Sequence, residues 1–424
     1  MLARLKYVCQ PYIYKNSWRL QNMNVLGIIA EYNPFHNGHA FQLEACKAAA
    51  GADAVIIVMS GNFTQRGEAA SADKFIRTKM ALSSGADAVI ELPLHAACAS
   101  AGYFAAGGVS ILKHTHVVTH LGFGSESGDI DRLKKIAGII FNESDRFKSA
   151  LYQSQKAGMT YALARETALK TVYPGAADIL TPNNILALEY INAIHRQKAP
   201  IIPVTIARHK TGYHDLSLTE DICSATALRH ARRDTDFSKY MPQASAALYK
   251  ETLSSGAFVT NNDFSDMLYY ALMSANEYTH IADIDARLSN RIENYKNRFT
   301  DFDSFCAMLK SRNYTYTRIC RAMYHLIFNI TNECHEAFLS SDSAPYIRLL
   351  GFRRSAGPLL RALKENADIP MITKAADAKK LLNTSALKIF NENLFADNLY
   401  RQIQGRLSKT AVPHEFSRGV VILD

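Results

Sequence analysis

Short apolar runs alternate with helix-like stretches over the first half of the chain. Runs dominated by valine and isoleucine occupy residues 25–30, 53–59, 87–93, 117–123 and 201–206. Apolar runs with little polar alternation are typical of strands that are covered on both faces. Helix-like stretches occupy about 38–50, 73–84, 98–113 and 178–198, and they suit right-handed crossovers between parallel strands. The pattern predicts an α/β fold with a doubly wound, mostly parallel sheet.

The strand signal fades after about residue 236, and longer helical patterns replace it. These patterns occupy residues 263–276, 285–298, 301–309, 316–329 and 346–366. We therefore predict two regions, an α/β region over 23–235 and a mainly helical region over 236–424.

Residues 1–22 look like an extension that precedes the first strand. They hold several basic residues and the only tryptophan, Trp18, and they lack the continuous apolar segment of a secretory signal. Met23 stands just before the first strand. We expect Met23 to be the biological start and residues 1–22 to be poorly ordered.

Composition narrows the class of protein. The chain has 424 residues, 48% of them hydrophobic and 21% charged, which is typical of a folded protein with a sizeable core. Its net charge of +9 fits a polyanionic partner such as nucleic acid, or simply a basic soluble protein. The seven cysteines are scattered and never spaced C-x-x-C, which argues against a disulfide framework and points to the cytoplasm. No apolar run is long enough to span a bilayer, so we expect no membrane partner.

The first candidate motif is His36-Asn37-Gly38-His39, between the first strand and the following helix-like stretch. In a parallel sheet this position lies at the carboxyl edge, where ligands bind. Imidazole N–H groups beside a helix N-terminus can stabilise charge on phosphate oxygens, and Gly38 allows a close backbone approach. The alternatives are two ordinary loop histidines or a zinc pair, although helical zinc pairs prefer i, i+4 spacing.

The second candidate motif is Ile222-Cys223-Ser224-Ala225-Thr226-Ala227-Leu228-Arg229. Its hydroxyls can cap a helix and hold phosphate oxygens, and Arg229 can bind a phosphate through two donors. A plain Ser/Thr helix cap is the alternative. The combination of the two motifs favours nucleotidyl transfer.

The two motifs together resemble the H-x-G-H and I-S-S-T-x-x-R signatures of the HIGH superfamily of nucleotidyltransferases, with Cys223 in place of a serine. More narrowly, the chain resembles the tRNA(Met) cytidine acetate ligase family. That resemblance runs from about Met23 into the C-terminal region, and it is carried by the motifs Glu31–His39, Ser60–Phe63, Gln65–Gly67, Phe123–Glu126, Pro182–Leu186 and Gly212–Asp215.

The resemblance implies a Rossmann-like nucleotidyltransferase fold and a specific reaction. Members use ATP to activate acetate as acetyl-adenylate, releasing pyrophosphate. They then acetylate the wobble cytidine of elongator tRNA(Met) to N4-acetylcytidine, without acetyl-CoA. Mg²⁺ on the ATP phosphates is expected, although the sequence offers no clear acidic metal cluster.

The candidate site residues come from the two motifs and from what this resemblance implies. His36 and His39 are the candidate catalytic residues. The candidate ATP-binding residues are Ile29, Ala30, Glu31, Tyr32, Asn33, Pro34, Phe35, His36, Asn37, Gly38, His39, Ala40, Phe41, Gln42, Gly124, Asn183, Asn184, Arg208, Ser224, Thr226 and Arg229. Which of Asn183 and Asn184 contacts ATP is left open.

Three segments of the helical region interleave basic and aromatic residues, as surfaces that bind unpaired bases do. Their candidate tRNA-binding residues are Arg291, Lys310, Arg312, Arg318, Arg321, Arg348, Arg353 and Arg354. The alternative for each segment is an amphipathic helix with its arginines in water.

Two further groups are ambiguous. Arg66, Lys74 and Arg77 suit either phosphate or RNA contacts or a solvated basic face. His114 and His116, with His120 nearby, suit a metal, but the pattern is more typical of ordinary helix-end and strand residues.

Two other function classes fit parts of the sequence. A small-molecule nucleotidyltransferase of cofactor biosynthesis would share both phosphate motifs, but it would not need a basic helical region. A non-catalytic RNA-binding protein with a vestigial nucleotide fold would not need the histidine pair. The oligomeric state is not indicated.

Overall fold

The computed structural model describes residues 23–176, 180–208, 224–231, 235–340 and 344–424. The predicted extension 1–22 lies outside this part of the chain. The strands are β1 Val25–Ala30, β2 Ala54–Ser60, β3 Ala88–Leu92, β4 His120–Ser125, β5 Ile202–Ala207, β6 Ile347–Arg353, β7 Met371–Ile372 and β8 Val421–Leu423.

The first ten helices are α1 Asn37–Ala49, α2 Lys74–Ser83, α3 Leu94–Ala97, α4 Ala101–His114, α5 Ile130–Asn142, α6 Asp145–Lys156, α7 Tyr161–Val172, α8 Pro182–Arg196, α9 Ala225–His230 and α10 Gln243–Ser254. The others are α11 Ser265–Ser274, α12 Ala286–Tyr295, α13 Phe302–Leu309, α14 Tyr316–Phe328, α15 Asn332–Ser340, α16 Gly357–Asn366, α17 Ala378–Leu381 and α18 Thr384–Ser408. Short 3₁₀ turns cover Pro174–Ala176, Phe237–Lys239, Asn261–Phe264, Lys296–Arg298, Arg354–Ala356, Ala375–Asp377 and Glu415–Ser417.

All these strands form one sheet in the order β5-β4-β1-β2-β3-β6-β7, and β8 also pairs with β6. The five strands β1 to β5 are parallel, with Ile28 opposite Ile57 and Gly124 opposite Ile206. The order reverses direction about β1, so the sheet is doubly wound, as predicted. The carboxyl ends of β1 and β4 lie next to each other at the point of reversal, where such sheets bind ligands.

Alternate residues of β1 enter two different cores. Val25 and Ile29 pack with residues of α4, α5 and α8, whereas Leu26 and Ile28 pack with residues of α1, α2 and α10. Successive side chains of a strand point to opposite faces, so the sheet is covered on both sides. This double coverage explains why the strands read as continuous apolar runs.

The C-terminal region contributes an antiparallel strand to the same sheet. Strand β6 pairs with β3, with Leu349 opposite Ile90 and Arg348 opposite Glu91. The predicted helix over 346–366 is therefore wrong in its first half, and the helix starts at Gly357. The strand covers an edge of β3 that would otherwise present unpaired backbone groups. The sheet therefore contains strands from both predicted regions. The division of the chain into two domains at 235/236 stays a prediction.

Five helices of the second region pack around a second hydrophobic core. Helices α11 to α14 and α18 supply most of its buried side chains. Phe63, from the loop after β2, inserts into this core, with its ring centroid 5.0 Å from that of Tyr324 and 4.7 Å from that of Phe328. The loop after β2 is therefore anchored in the helical region.

Five buried charged side chains join the two regions, and we call them the buried ion cluster: Lys74, Glu91, Arg348, Asp397 and Glu415. Lys74 Nζ lies 2.8 Å from Glu91, 2.5 Å from Asp397 and 3.4 Å from Glu415. Arg348 pairs with Glu91 at 3.0 Å and also with Glu415. Burial, with the neighbouring Glu91 and Glu415 carboxylates, raises the pKa of Asp397 to about 7. Lys74 is fully buried, so the expectation of a surface or phosphate-binding Lys74 is wrong.

Replacing Lys74 by methionine should lower the free energy of unfolding by about 3–5 kcal/mol, because three buried carboxylates would lose their shared cation. Urea denaturation followed by circular dichroism measures this change. Lys79→Met is the matched control, since Lys79 is exposed on the same helix and its replacement should change stability by less than about 0.5 kcal/mol. Equal effects of the two substitutions would contradict a structural role for the cluster.

Candidate active site

The loop between β1 and α1 carries the first motif. Tyr32 adopts a left-handed backbone conformation with φ of 49°, and the Asn33–Pro34 peptide bond is cis. The buried ring of Tyr32 packs against Phe35, with ring centroids 4.7 Å apart, and against His39 at 4.9 Å. His36 then precedes the first residue of α1, so both histidines lie at the N-terminus of that helix.

His36 and His39 stack on each other. Their ring centroids are 3.6 Å apart and their planes are inclined by 21°. The backbone N–H of His36 donates to Nδ1 of His39 at 3.3 Å. A neutral His39 therefore carries its proton on Nε2, and this atom is its hydrogen-bond donor.

Both imidazoles are neutral at pH 7. Burial, with the nearby Arg208 and Arg229 guanidinium groups, lowers the pKa of His36 to about 3. Burial, together with His36 and Arg208, also holds the pKa of His39 well below its ordinary value. The pair thus offers N–H donors without a charge of its own, close to two permanent cations. That combination suits a polyanion such as a nucleotide phosphate.

Arg229 connects the second motif to the first. Its Nη1 donates to the backbone carbonyl of Asn33 at 2.7 Å, and its Nη2 donates to Thr226 Oγ1 at 3.2 Å and to the Glu68 carboxylate at 2.8 Å. Ser224 Oγ accepts the N–H of Ala227 at 3.0 Å and so caps α9. The structure therefore brings Arg229 to the β1–α1 loop, with Thr226 bonded to it and Ser224 capping the same helix. Ile222 and Cys223 lie outside the described residues.

Two buried polar atoms of the β1–α1 loop lack hydrogen-bond partners among the described residues. They are Asn33 Nδ2 and His36 Nδ1. The other end of the Asn33 amide is engaged, because its Oδ1 accepts from the backbone N–H and the hydroxyl of Ser71 at 2.8 and 3.0 Å. Buried polar groups are seldom left unpaired in native proteins, so this loop fits a polar ligand.

Arg208 lies across the ends of β4 and β5, beside Gly124. Its backbone N–H donates to Ser125 O at 2.9 Å. A Cβ atom on Gly124 would lie 2.9 Å from Cγ of Arg208 and 3.5 Å from the Gln42 side chain. A side chain at position 124 would therefore displace Arg208. Glycine is needed here for the close approach of these three residues.

Glu126 caps the N-terminus of α8. Its carboxylate accepts from the Asn183 backbone at 3.2 Å, from Asn183 Nδ2 at 2.7 Å and from the Asn184 backbone at 2.8 Å. Burial opposes ionisation of Glu126, but hydrogen bonds to its charged form lower the pKa of this carboxyl.

The two asparagines differ in their surroundings. Asn184 is 1% exposed, and its Oδ1 accepts the backbone N–H of Ser127 at 3.2 Å. Asn183 is half-buried, and its Oδ1 accepts from Arg208 Nη1 at 3.4 Å. Asn183 is thus the one beside the predicted phosphate-binding arginine, and Asn184 holds the loop after β4.

Glu68 and Glu126 are absent from the sequence-derived site, although both contact its members. Glu126 directly follows the Gly124-Ser125 pair at the carboxyl end of β4, and this position was the available signal. Nothing in the sequence marks Glu68 as the partner of Arg229, because 161 positions separate them.

Arg77 bonds to the backbone at the carboxyl ends of β1 and β2, next to the candidate site. Its Nη1 donates to the backbone carbonyls of Glu31 at 2.7 Å and Ser60 at 3.1 Å, and its Nε donates to Ala72 O at 2.9 Å. The side chain is fully buried, so a phosphate, RNA or solvent role for Arg77 is wrong. It fixes the carboxyl ends of β1 and β2 instead.

The eight candidate tRNA-binding residues separate into three groups. Arg321 and Arg348 are 7% and 4% exposed. Arg321 pairs with Asp283, and Arg348 is a member of the buried ion cluster. The structure therefore assigns these two to the interior, and their prediction as RNA contacts is corrected. Arg291 and Arg318 are half-buried and donate to backbone carbonyls of Met308 and Asp283. Lys310, Arg312 and Arg354 are exposed, and Arg353 is half-buried.

Carboxylates near the histidine pair already have partners. Glu31 accepts the backbone N–H of Gln65 at 2.8 Å, Glu68 pairs with Arg229, and Glu126 caps α8. In the described part of the chain, the three side chains His114, His116 and Asp368 form a group spaced to share one metal ion. None of the described helices is both long and apolar enough to cross a membrane.

Known proteins match the chain over most of its length. The family model of the HIGH Nucleotidyl Transferase matches residues 23–413. The tRNA(Met) cytidine acetate ligase of Acetivibrio thermocellus is 36% identical over 415 residues, which cover 95% of this chain and 100% of that protein. The protein of the same name from Clostridium perfringens strain ATCC 13124 is 37% identical over 372 residues, covering 84% and 91%.

Solved structures agree with the fold. Thermotoga maritima TmcAL bound with alpha-thio ATP superposes with a TM-score of 0.88 at 29% identity, over 95% of this chain and all of that one. Its apo form gives a TM-score of 0.90 over the same coverage. These matches confirm the predicted family and fold, and they confirm that the chain is an enzyme of the ligase class. The chain belongs to the tRNA(Met) cytidine acetate ligase family of HIGH nucleotidyltransferases.

Proposed function

We propose that this chain activates acetate with ATP as acetyl-adenylate and transfers the acetyl group to N4 of the wobble cytidine in elongator tRNA(Met). The names of the relatives support the acceptor and the acyl group, and the neighbour with a bound ATP analogue supports the nucleotide. The observation that carries the proposal is the stacked pair His36 and His39. Burial, with the nearby Arg208, lowers the pKa of both imidazoles and keeps them neutral.

In the first step an acetate oxygen bonds to the α-phosphorus of ATP, and the bond from that phosphorus to the bridging oxygen breaks. Pyrophosphate leaves with the bonding electron pair. The negative charge that builds up on phosphate oxygens is stabilised by N–H donors of His36 and His39 and by the cations Arg208 and Arg229. No protein nucleophile is required, because alignment and charge stabilisation are sufficient.

In the second step the N4 amine of cytidine attacks the acetyl carbonyl carbon. The bond between that carbon and the AMP oxygen breaks, AMP leaves with the bonding electron pair, and the amine loses one proton to water. The products are N4-acetylcytidine in the tRNA and AMP. Both steps use the same site, so the mixed anhydride need not leave it.

Asn183, rather than Asn184, is the asparagine that we assign to ATP. Its half-buried amide lies beside Arg208, whereas Asn184 is buried and bonded to Ser127. We expect Mg²⁺ to arrive on the ATP phosphates with water as its other ligands, since the described carboxylates near the histidines are already bonded within the protein.

For the tRNA we propose a surface around Lys310 and Arg312. Both are exposed, and the backbone carbonyl of Lys310 accepts from Arg291 Nη2 at 3.3 Å. Arg291 also stacks over the Tyr295 ring at 5.0 Å. Cations and aromatic rings arranged in this way bind phosphates and unpaired bases.

The reaction is tested by incubating the full chain with labelled acetate, ATP and total tRNA, without acetyl-CoA. Mass spectrometry of the digested nucleosides should find labelled N4-acetylcytidine that is lost when ATP is omitted. Release of pyrophosphate without labelled nucleoside would contradict the proposed acceptor. The absence of any ATP turnover would contradict the proposed activity altogether.

His39→Ala should slow acetate-dependent pyrophosphate release by about 10²–10³-fold, because it removes one preorganised donor to the phosphates. The affinity for tRNA should stay within twofold (about the usual experimental spread) since the tRNA surface lies elsewhere. The control is His280→Ala, which removes an exposed histidine of the helical region. A parallel loss of tRNA affinity in His39→Ala would refute the separation of the two tasks.

The double substitution Lys310→Ala with Arg312→Ala should weaken tRNA binding and leave pyrophosphate release from ATP and acetate unchanged. Each lost phosphate contact should reduce the slope of log K against log salt by about 0.7–0.9. Filter binding at several salt concentrations measures both quantities. Lys170→Ala is the control, since Lys170 is exposed and paired with Glu166 on α7. An unaltered slope in the double variant would exclude this surface.

A further inference from the structure

Three metal-ligating side chains meet at the opposite end of β4 from Gly124. His114 is the last residue of α4, His116 follows in the turn before β4, and Asp368 lies between α16 and β7. His114 Nδ1 is 2.6 Å from one carboxylate oxygen of Asp368, and His116 Nε2 is 2.8 Å from the other. Distant parts of the sequence thus converge on one small group of atoms.

The backbone holds this group in place. The N–H of Asp368 donates to the carbonyl of His114 at 3.3 Å. His116 takes a left-handed conformation with φ of 52°, which histidine adopts more readily than most residues. Nε2 of His114 is buried without a partner among the described residues. Only Nδ1 of His114 therefore faces the shared position.

Two imidazoles and one carboxylate are a donor set that zinc and related divalent ions prefer. The three potential ligand atoms all lie within 4.8 Å of one another. A tetrahedral zinc ion with bonds of about 2.0–2.2 Å needs its ligand atoms about 3.3 Å apart. The present separations are those of hydrogen bonds and must widen slightly. The side chains of His116 and Asp368 are 48% and 47% exposed, so they have room to do so.

We propose that His114 Nδ1, His116 Nε2 and a carboxylate oxygen of Asp368 bind one zinc-like divalent transition-metal ion, with water completing its coordination. The ion replaces the protons that now lie between the imidazoles and the carboxylate, and any displaced proton moves to the other ring nitrogen or to water. The bound ion would cross-link the turn before β4 to the connection between α16 and β7. This site does not depend on the proposed acetylation, because it lies at the far end of β4.

The test is zinc titration of the chelator-treated full chain against a chromogenic indicator. The wild type should bind one more zinc equivalent than His116→Ala and Asp368→Asn, or bind it at least about tenfold more tightly than either variant. His280→Ala is the matched control and should bind as the wild type does. Zinc should raise the thermal midpoint of the wild type and of this control, but not that of the two site variants.

Acidification gives a second measurement. Zinc affinity of the wild type should fall by at least about tenfold between pH 7.5 and 5.5, because protonated imidazoles cannot ligate a metal. Identical zinc binding by the wild type and both site variants would overturn the proposal, as would an absence of zinc binding by the wild type. Pyrophosphate release should be unchanged in both variants, which separates this site from the catalytic one.

Discussion

The buried guanidinium of Arg77 determines where the first two strands end, and the candidate active site depends on that position. It bonds to the carbonyls of Glu31, Ser60 and Ala72, so its charge is stabilised by peptide dipoles in the interior. An unpaired buried cation would be costly. Glu31 begins the loop that leads to His36, and Ser60 is the last residue of β2 before the loop that leads to Glu68. Arg77 therefore sets the starting points of two loops that Arg229 later joins from the other side.

Charge at the site is divided between groups that titrate and groups that do not. Burial and nearby cations keep His36 and His39 neutral, whereas guanidinium groups stay charged at any physiological pH. The donors and the positive field therefore come from different side chains. Such a site keeps the same electrostatic character over a wide pH range and needs no proton transfer to hold a phosphate.

The sequence predicts β1 to β5 to within three residues at each end, because their apolar runs are continuous and their crossovers are ordinary. It misses β6, since the pattern of residues 347–353 fits a buried helix as well as a strand, and only the open edge of β3 decides between them. It also places Lys74, Arg77, Arg321 and Arg348 on surfaces. Charged residues are usually exposed, and Asp397, which pairs with the buried Lys74, is 323 positions away in the sequence. Glu68 escapes prediction for the same reason.

The late position of β6 has a consequence for biosynthesis. When β1 to β5 have been translated, Ile347–Arg353 has not yet been made. One edge of β3 therefore has no paired strand at that stage. Asp397 and Glu415, which pair with Lys74 in the folded protein, are also translated later. Until then the nascent chain presents an open strand edge, which favours aggregation or chaperone binding, and a lysine whose charge is not yet fully paired. The α/β layer is thus completed only after β6 and the two late carboxylates have been translated.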